Sequence, residues 1–155
     1  PRSRGLGDVY KRQKLHKSHL PSEILTNLDN VEHNQPIYLK GINFVSLCEH
    51  HLLPFTGLVN IAVYPNSKIA GVSKFSELVN ILSNNLTLQE TLTKNIAIEI
   101  QNALDPKGVM VKISANHMCS SLLNIENSQT EFETTYSTGI YEIDHTLRNE
   151  AILNF

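Results

Sequence analysis

The chain has no tryptophan, few aromatic side chains and only two cysteines among its 155 residues. Two cysteines allow at most one disulfide, which excludes a small scaffold stapled by many bridges. No stretch approaches the roughly 18 uninterrupted apolar residues of a membrane-spanning helix, and the first residues carry no apolar signal-peptide core. A formal charge of -2, with no basic block after residue 17, gives no electrostatic case for nucleic acid or a membrane surface as partner. A hydrophobic content of 41% is ample for a packed core, and the length suits one domain rather than two. A cytoplasmic globular protein is the expectation.

What is present is unevenly distributed. The opening residues, PRSRGLGDVYKRQ, are basic and without periodicity, and DVYKRQ resembles one reading frame of a transposase adapter used in DNA library preparation. Residues 1–13 are therefore expected to be foreign to the fold, with a single domain over 14–155. A short helix is expected at Ser22–Leu28, where Ser22 would cap and Ile24, Leu25 and Leu28 fall at helical spacing. Ile37–Leu47 is rich in β-branched and aromatic residues and reads as a strand kinked at Gly41. Phe55–Pro65 alternates as a second strand, with Val59, Ile61 and Val63 on one face and Leu58, Asn60, Ala62 and Tyr64 on the other.

A helix is predicted to start at Ser73, its stripe formed by Phe75, Leu78, Val79, Leu82 and Leu86. Thr87 and Glu90 have the spacing of a capping box for a second helix, whose stripe runs through Leu88, Leu92, Ile96, Ile100 and Ala103–Leu104 until DPKG ends it. Val109–His117 alternates again, Thr130–Ile143 reads as a last strand, and a terminal helix is expected over His145–Leu153. The order β-β-α-α-β-β groups like elements together. It predicts an α+β fold, an antiparallel sheet with a helix pair on one face.

The segment LCEHHLLPF, Leu47 to Phe55, sets a cysteine, an acid and two histidines against an apolar run, and NHMC (Asn116–Cys119) brings the other cysteine beside a histidine. Cysteine thiolate and histidine nitrogen are the preferred donors of zinc, and a catalytic zinc keeps three protein ligands and an open fourth position. Cys48 and His51 are spaced for a tight turn at a strand end, and His117 and Cys119, two apart in extended chain, point to one side. Three readings follow from spacing. One is a catalytic zinc on Cys48, His51 and Cys119 with His50 and His117 as bases. Another is a closed structural zinc that also uses His117, and the third is no metal at all. Taken alone, Glu90 would be a helix cap, Ser73 an N-cap and Lys74 a solvated first-turn lysine.

FVSLCEHHLLPFTGLV, GVSKFSELVNILSNNLTLQETLTKNIA and GVMVKISANHMC resemble, in order and spacing, the signature blocks of the GTP cyclohydrolase I family. The resemblance implies the tunnelling fold, a homo-oligomer that is a pentamer or decamer, and conversion of GTP to formate and 7,8-dihydroneopterin triphosphate. It implies zinc on Cys48, His51 and Cys119, acid–base work by His50 and His117, guanine recognition by Glu90 with Gln89 beside it, and ribose and phosphate contacts from Ser73 and Lys74. The chain departs from the family pattern at Glu77 and Leu123, where arginines of the triphosphate pocket are expected, and lacks the family's usual amino-terminal part. Replacing a guanidinium by a carboxylate turns attraction to phosphate into repulsion. A paralogue acting on a less phosphorylated purine or pterin-like substrate, or an inactive zinc-binding assembly subunit, is the alternative.

Overall fold

A computed structural model of the chain describes residues 24–25, 29–30, 32–123 and 130–155. The elements are β1 (Asp29–Asn30), β2 (Ile37–Cys48), β3 (Pro54–Tyr64), β4 (Lys68–Ile69), α1 (Val72–Ser83), β5 (Leu86–Thr87), α2 (Gln89–Leu104), β6 (Gly108–His117), α3 (Met118–Leu123), β7 (Glu131–Gly139), α4 (Ile140–Ile143) and α5 (His145–Asn154). The segment 1–13 and most of the helix expected at Ser22–Leu28 lie outside the described residues. Ile24 and Leu25 alone are described there, and both are buried.

The main sheet has the order β5-β2-β3-β6-β7, antiparallel throughout except where the two-residue β5 runs parallel to the end of β2. Alternation fixes what each strand buries. Val59, Ile61 and Val63 of β3 pair with Ile113, Val111 and Val109 of β6, and all six face the helix pair with at most 2% exposure. Against them α1 sets Phe75, Leu78 and Val79, and α2 sets Leu92, Ile96, Ala97, Ile100 and Leu104. Midway along the site half of these strands the two backbones come unusually close. A Cβ on Gly57 would collide with the Ser114 carbonyl and with Ala115, so only glycine fits there.

The kink expected at Gly41 is a β-bulge. Leu39 pairs with Ile61 and Ile42 with Val59, so Lys40 and Gly41 together oppose Asn60. Gly41 takes φ +74°, and its N–H donates to the Asn60 side-chain oxygen at 2.8 Å. The extra residue changes the parity of the strand. Leu39 points into the core before the bulge, and Phe44, Ser46 and Cys48 do so after it.

Four expectations about element ends need correction. Leu86 is 55% exposed in β5 and does not continue the α1 stripe, because α1 stops at Ser83 and the chain turns to pair with β2. Helix α1 starts at Val72 after Gly71, so Ser73 lies inside the first turn and caps nothing. The Thr87–Glu90 capping box does not form. The position before α2 is Leu88, one residue later than that box requires, and the Thr87 hydroxyl donates to the Leu88 carbonyl at 3.1 Å. The last strand is shorter than Thr130–Ile143. Gly139, at φ +58°, ends it, and the one-turn α4 follows.

Helices α4 and α5 cover part of the sheet's opposite face, a feature the simple one-face picture leaves out. Asp144 caps α5, its carboxylate accepting from the N–H groups of Thr146 and Leu147 at 2.8 and 3.1 Å. Ala62 and Met110, paired across β3 and β6, pack there against Tyr141 and Ala151. The Tyr141 hydroxyl is buried with no hydrogen-bond partner among the described residues, and burial raises its pKa. An unsatisfied buried hydroxyl costs about 1–3 kcal/mol. Tyr141→Phe is therefore expected to raise the denaturant midpoint of unfolding. By contrast Gly41→Val, which forces a β-branched residue into the left-handed region at a cost of about 1–2 kcal/mol, is expected to lower it.

Candidate active site

Three strand ends meet at one end of the sheet. Leu47 pairs with Pro54 at the close of the β2–β3 ladder, Phe55 pairs with His117 at the end of the β3–β6 ladder, and Cys48 pairs with Thr87 of β5, immediately before α2. The inward rows therefore finish side by side on the helix-covered face: Phe44, Ser46, Cys48 in β2, then Phe55 in β3, then Ala115 and His117 in β6. The turn after Cys48 is tight. The Cys48 N–H donates to the Leu53 carbonyl at 2.9 Å and the Leu52 N–H to the Cys48 carbonyl at 2.8 Å, with Leu52 at φ 54°. This turn presents His50 and His51, whose rings lie 6.1 Å apart at 79°.

A cavity of about 270 Å³ opens at this junction, lined by Cys48, His50, His51, Gln89, Glu90, His117 and Cys119. A wider cleft of about 510 Å³ lies over Asn43, Thr56, Asn80 and Asn116, but no titratable or sulfur-bearing side chain lines it. The smaller cavity is the chemical one. It gathers seven of the nine residues singled out in the sequence. Ser73 and Lys74 are not among its lining; they sit at the start of α1, where the Lys74 ammonium ion-pairs with the Glu77 carboxylate at 2.9 Å. Leu123 ends α3.

His117 is the most constrained of the group. Its ring lies flat on Phe55 (centroids 4.6 Å apart, planes 5° apart), and the Phe132 ring stands edge-on at 5.6 Å. Its Nε2 is 2.8 Å from the side-chain oxygen of Gln89. Burial lowers the His117 pKa from its usual value, an effect that the nearby Glu90 carboxylate opposes without cancelling. Burial thus favours the uncharged ring, the form able to accept a proton.

Both cysteines are free, Cys48 buried and Cys119 half-buried in α3. Among the described residues, no three His, Cys, Asp or Glu side chains stand close enough to hold one ion as placed. Sequence reasoning missed the aromatic walls, Phe55 and Phe132. The signal for Phe55 was available, since the first residue of a strand that follows a histidine-rich turn faces the same end of the sheet. Phe132, beyond the undescribed 124–129 stretch, offered none.

In this α+β tunnelling fold the sheet and its paired helices close at one end on a cavity of thiols, imidazoles and a carboxylate. A family model described as GTP cyclohydrolase I matches residues 7–154, and so begins within the segment set aside above as foreign. The chain belongs to the GTP cyclohydrolase I family. A GTP cyclohydrolase 1 from Rickettsia typhi is 47% identical over 119 residues, covering 77% of this chain and 62% of that protein. One from Coxiella burnetii is 36% identical over 160 residues, 98% of this chain and 87% of its own, and the Rattus norvegicus protein is 40% identical over 121 residues, 78% and 50%. The chain thus spans about three-fifths of the first of these relatives. Among solved structures, the apo form of the archaeosine synthase QueF-Like aligns at TM-score 0.58 with 17% identity, over 70% of this chain and 97% of that one. That likeness shows the fold alone. No helix among the described residues is long and apolar enough to cross a membrane.

Proposed function

We propose that the protein hydrolyses the imidazole ring of the guanine in GTP, releasing formate and forming 7,8-dihydroneopterin triphosphate. The observation that carries this reading is the convergence of Cys48, His50, His51, Glu90, His117 and Cys119 on one cavity of about 270 Å³. Zinc would be held by Cys48, His51 and Cys119, a sulfur and nitrogen donor set that suits it, and such free thiols fit a reducing cytoplasm. When bound, that ion supplies a Lewis acid that makes water nucleophilic near neutral pH.

The chain's own residues do the rest. The Glu90 carboxylate accepts hydrogen bonds from guanine N1–H and the 2-amino group, a donor pair that adenine lacks. Packed flat on Phe55, the His117 ring takes the proton released by the attacking water and delivers it to N7 as the purine ring opens. His50, presented by the β2–β3 turn to the same cavity, serves the leaving steps as the second acid–base group. Stacking and edge contacts from Phe55 and Phe132 keep water away from one side of His117.

Ser73 and Lys74 would handle ribose and phosphate for a site completed by another copy of the chain, in a homo-oligomer that is a pentamer or decamer. Supporting this is the apolar face left at the site end of the sheet, where Val45, Leu47 and Leu58 are 61%, 45% and 44% exposed. A second reading, a less phosphorylated purine as substrate, is favoured by the Lys74–Glu77 ion pair, which places a carboxylate beside the very cation meant for phosphate. Exposed pairs of this kind contribute only about 0–1 kcal/mol, so a triphosphate can compete for the lysine.

Zinc-loaded protein incubated with GTP, GMP or guanosine is expected to release formate fastest from GTP, and chelation is expected to stop the release. Preference for GMP would establish the second reading, and no formate from any of the three would refute both. Glu77→Arg is expected to raise kcat/KM for GTP by about tenfold, the effect of one added charge-assisted contact.

A further inference from the structure

Gln89 opens α2 with 1% exposure, although it lines the cavity. Its side-chain nitrogen lies 2.8 Å from the Phe132 carbonyl, 3.1 Å from the Ile113 carbonyl and 3.1 Å from the Thr134 hydroxyl. Backbone carbonyls only accept, so the end of the amide facing them is the NH₂ group and the oxygen must face His117. The remaining polar atoms agree on direction. Thr93 donates to the Gln89 backbone carbonyl at 2.7 Å, Thr134 is therefore the donor in its 2.6 Å contact with Thr93, and the Thr134 oxygen is left to accept from Gln89.

An amide oxygen cannot donate, so the 2.8 Å contact requires a proton on His117 Nε2. We infer that Gln89 is a positioning residue: by accepting from His117 Nε2–H it keeps that proton on Nε2 and so leaves Nδ1 as the nitrogen that exchanges protons with the substrate. With both amide hydrogens engaged by the protein, the Gln89 side chain acts on the ring and not on the nucleobase. Strands β6 and β7 both contribute carbonyls to its amide, so the rigidity of the sheet is passed to the imidazole. The inference rests on the acid–base role proposed above for His117.

The test has two arms. Nitrogen-15 spectra of histidine-labelled, zinc-loaded protein, recorded above the ordinary histidine pKa of about 6.5 and assigned with a His117→Asn variant, report the tautomer directly. Nε2–H is expected in the parent protein; Nδ1–H would overturn the inference without any appeal to activity. In Gln89→Met, which keeps the length and removes the acceptor, the tautomer preference is expected to be lost. There kcat is expected to fall about ten- to hundredfold with KM within about twofold. An unchanged tautomer or an unchanged kcat in that variant would also overturn it. If the parent protein turns over no GTP, the proposed function fails while the spectra still decide what Gln89 does. Should Gln89→Met not fold, the parent spectrum alone decides.

Discussion

Side chains alternate along a strand, so the extra residue at Lys40–Gly41 sends every later side chain of β2 to the face opposite the one it would otherwise take. Leu39 and Cys48 are nine positions apart, an odd separation that would set them on opposite faces of a regular strand, yet both belong to the same buried cluster. Everything at the site presupposes this change of parity. Without it the thiol would leave the helix-covered face, and Phe55 and His117 would stand there without a sulfur donor in β2.

The second constraint is the shared ending of the ladders. Because β3 begins where β6 ends, Phe55 and His117 become a cross-strand pair, and an ordinary feature of sheet packing becomes a flat wall for an imidazole. The parallel contact of β5 with β2 then delivers the first residue of α2 to the same place. Gln89 is the polar counterpart of the apolar stripe that follows it: a buried amide whose partners are two backbone carbonyls and a hydroxyl from two strands, and one ring. Buried amides are costly unless fully partnered, so this one ties the helix start, β6 and β7 into a single arrangement.

Much of the fold was legible because its signals were periodic. The inward rows of β3 and β6 and the stripes of α1 and α2 follow from alternation and from three-to-four spacing, and apart from Leu86 the structure buries or half-buries the residues those patterns name. Cys48, His50, His51, His117 and Cys119 were legible by donor chemistry, and their gathering in one cavity needed only that the strand ends coincide. Element ends were less readable. Thr87 and Ser73 have the composition of caps, but pairing with β2 and a start at Val72 decided the outcome, since tertiary contacts outweigh a local preference of about 1 kcal/mol. The role of Gln89 was hidden for a different reason. Its partners include two backbone carbonyls, which have no signature in a sequence.

Gly57 lies two rungs from Phe55 and His117 and contributes no side-chain atom to the cavity. Its missing Cβ nevertheless sets the spacing at which β3 and β6 run beside one another. A genetic screen for inactive variants would score this position alongside the histidines. The phenotype would be catalytic and its origin purely steric, a displacement of the stacked pair by a methyl group that never meets the substrate.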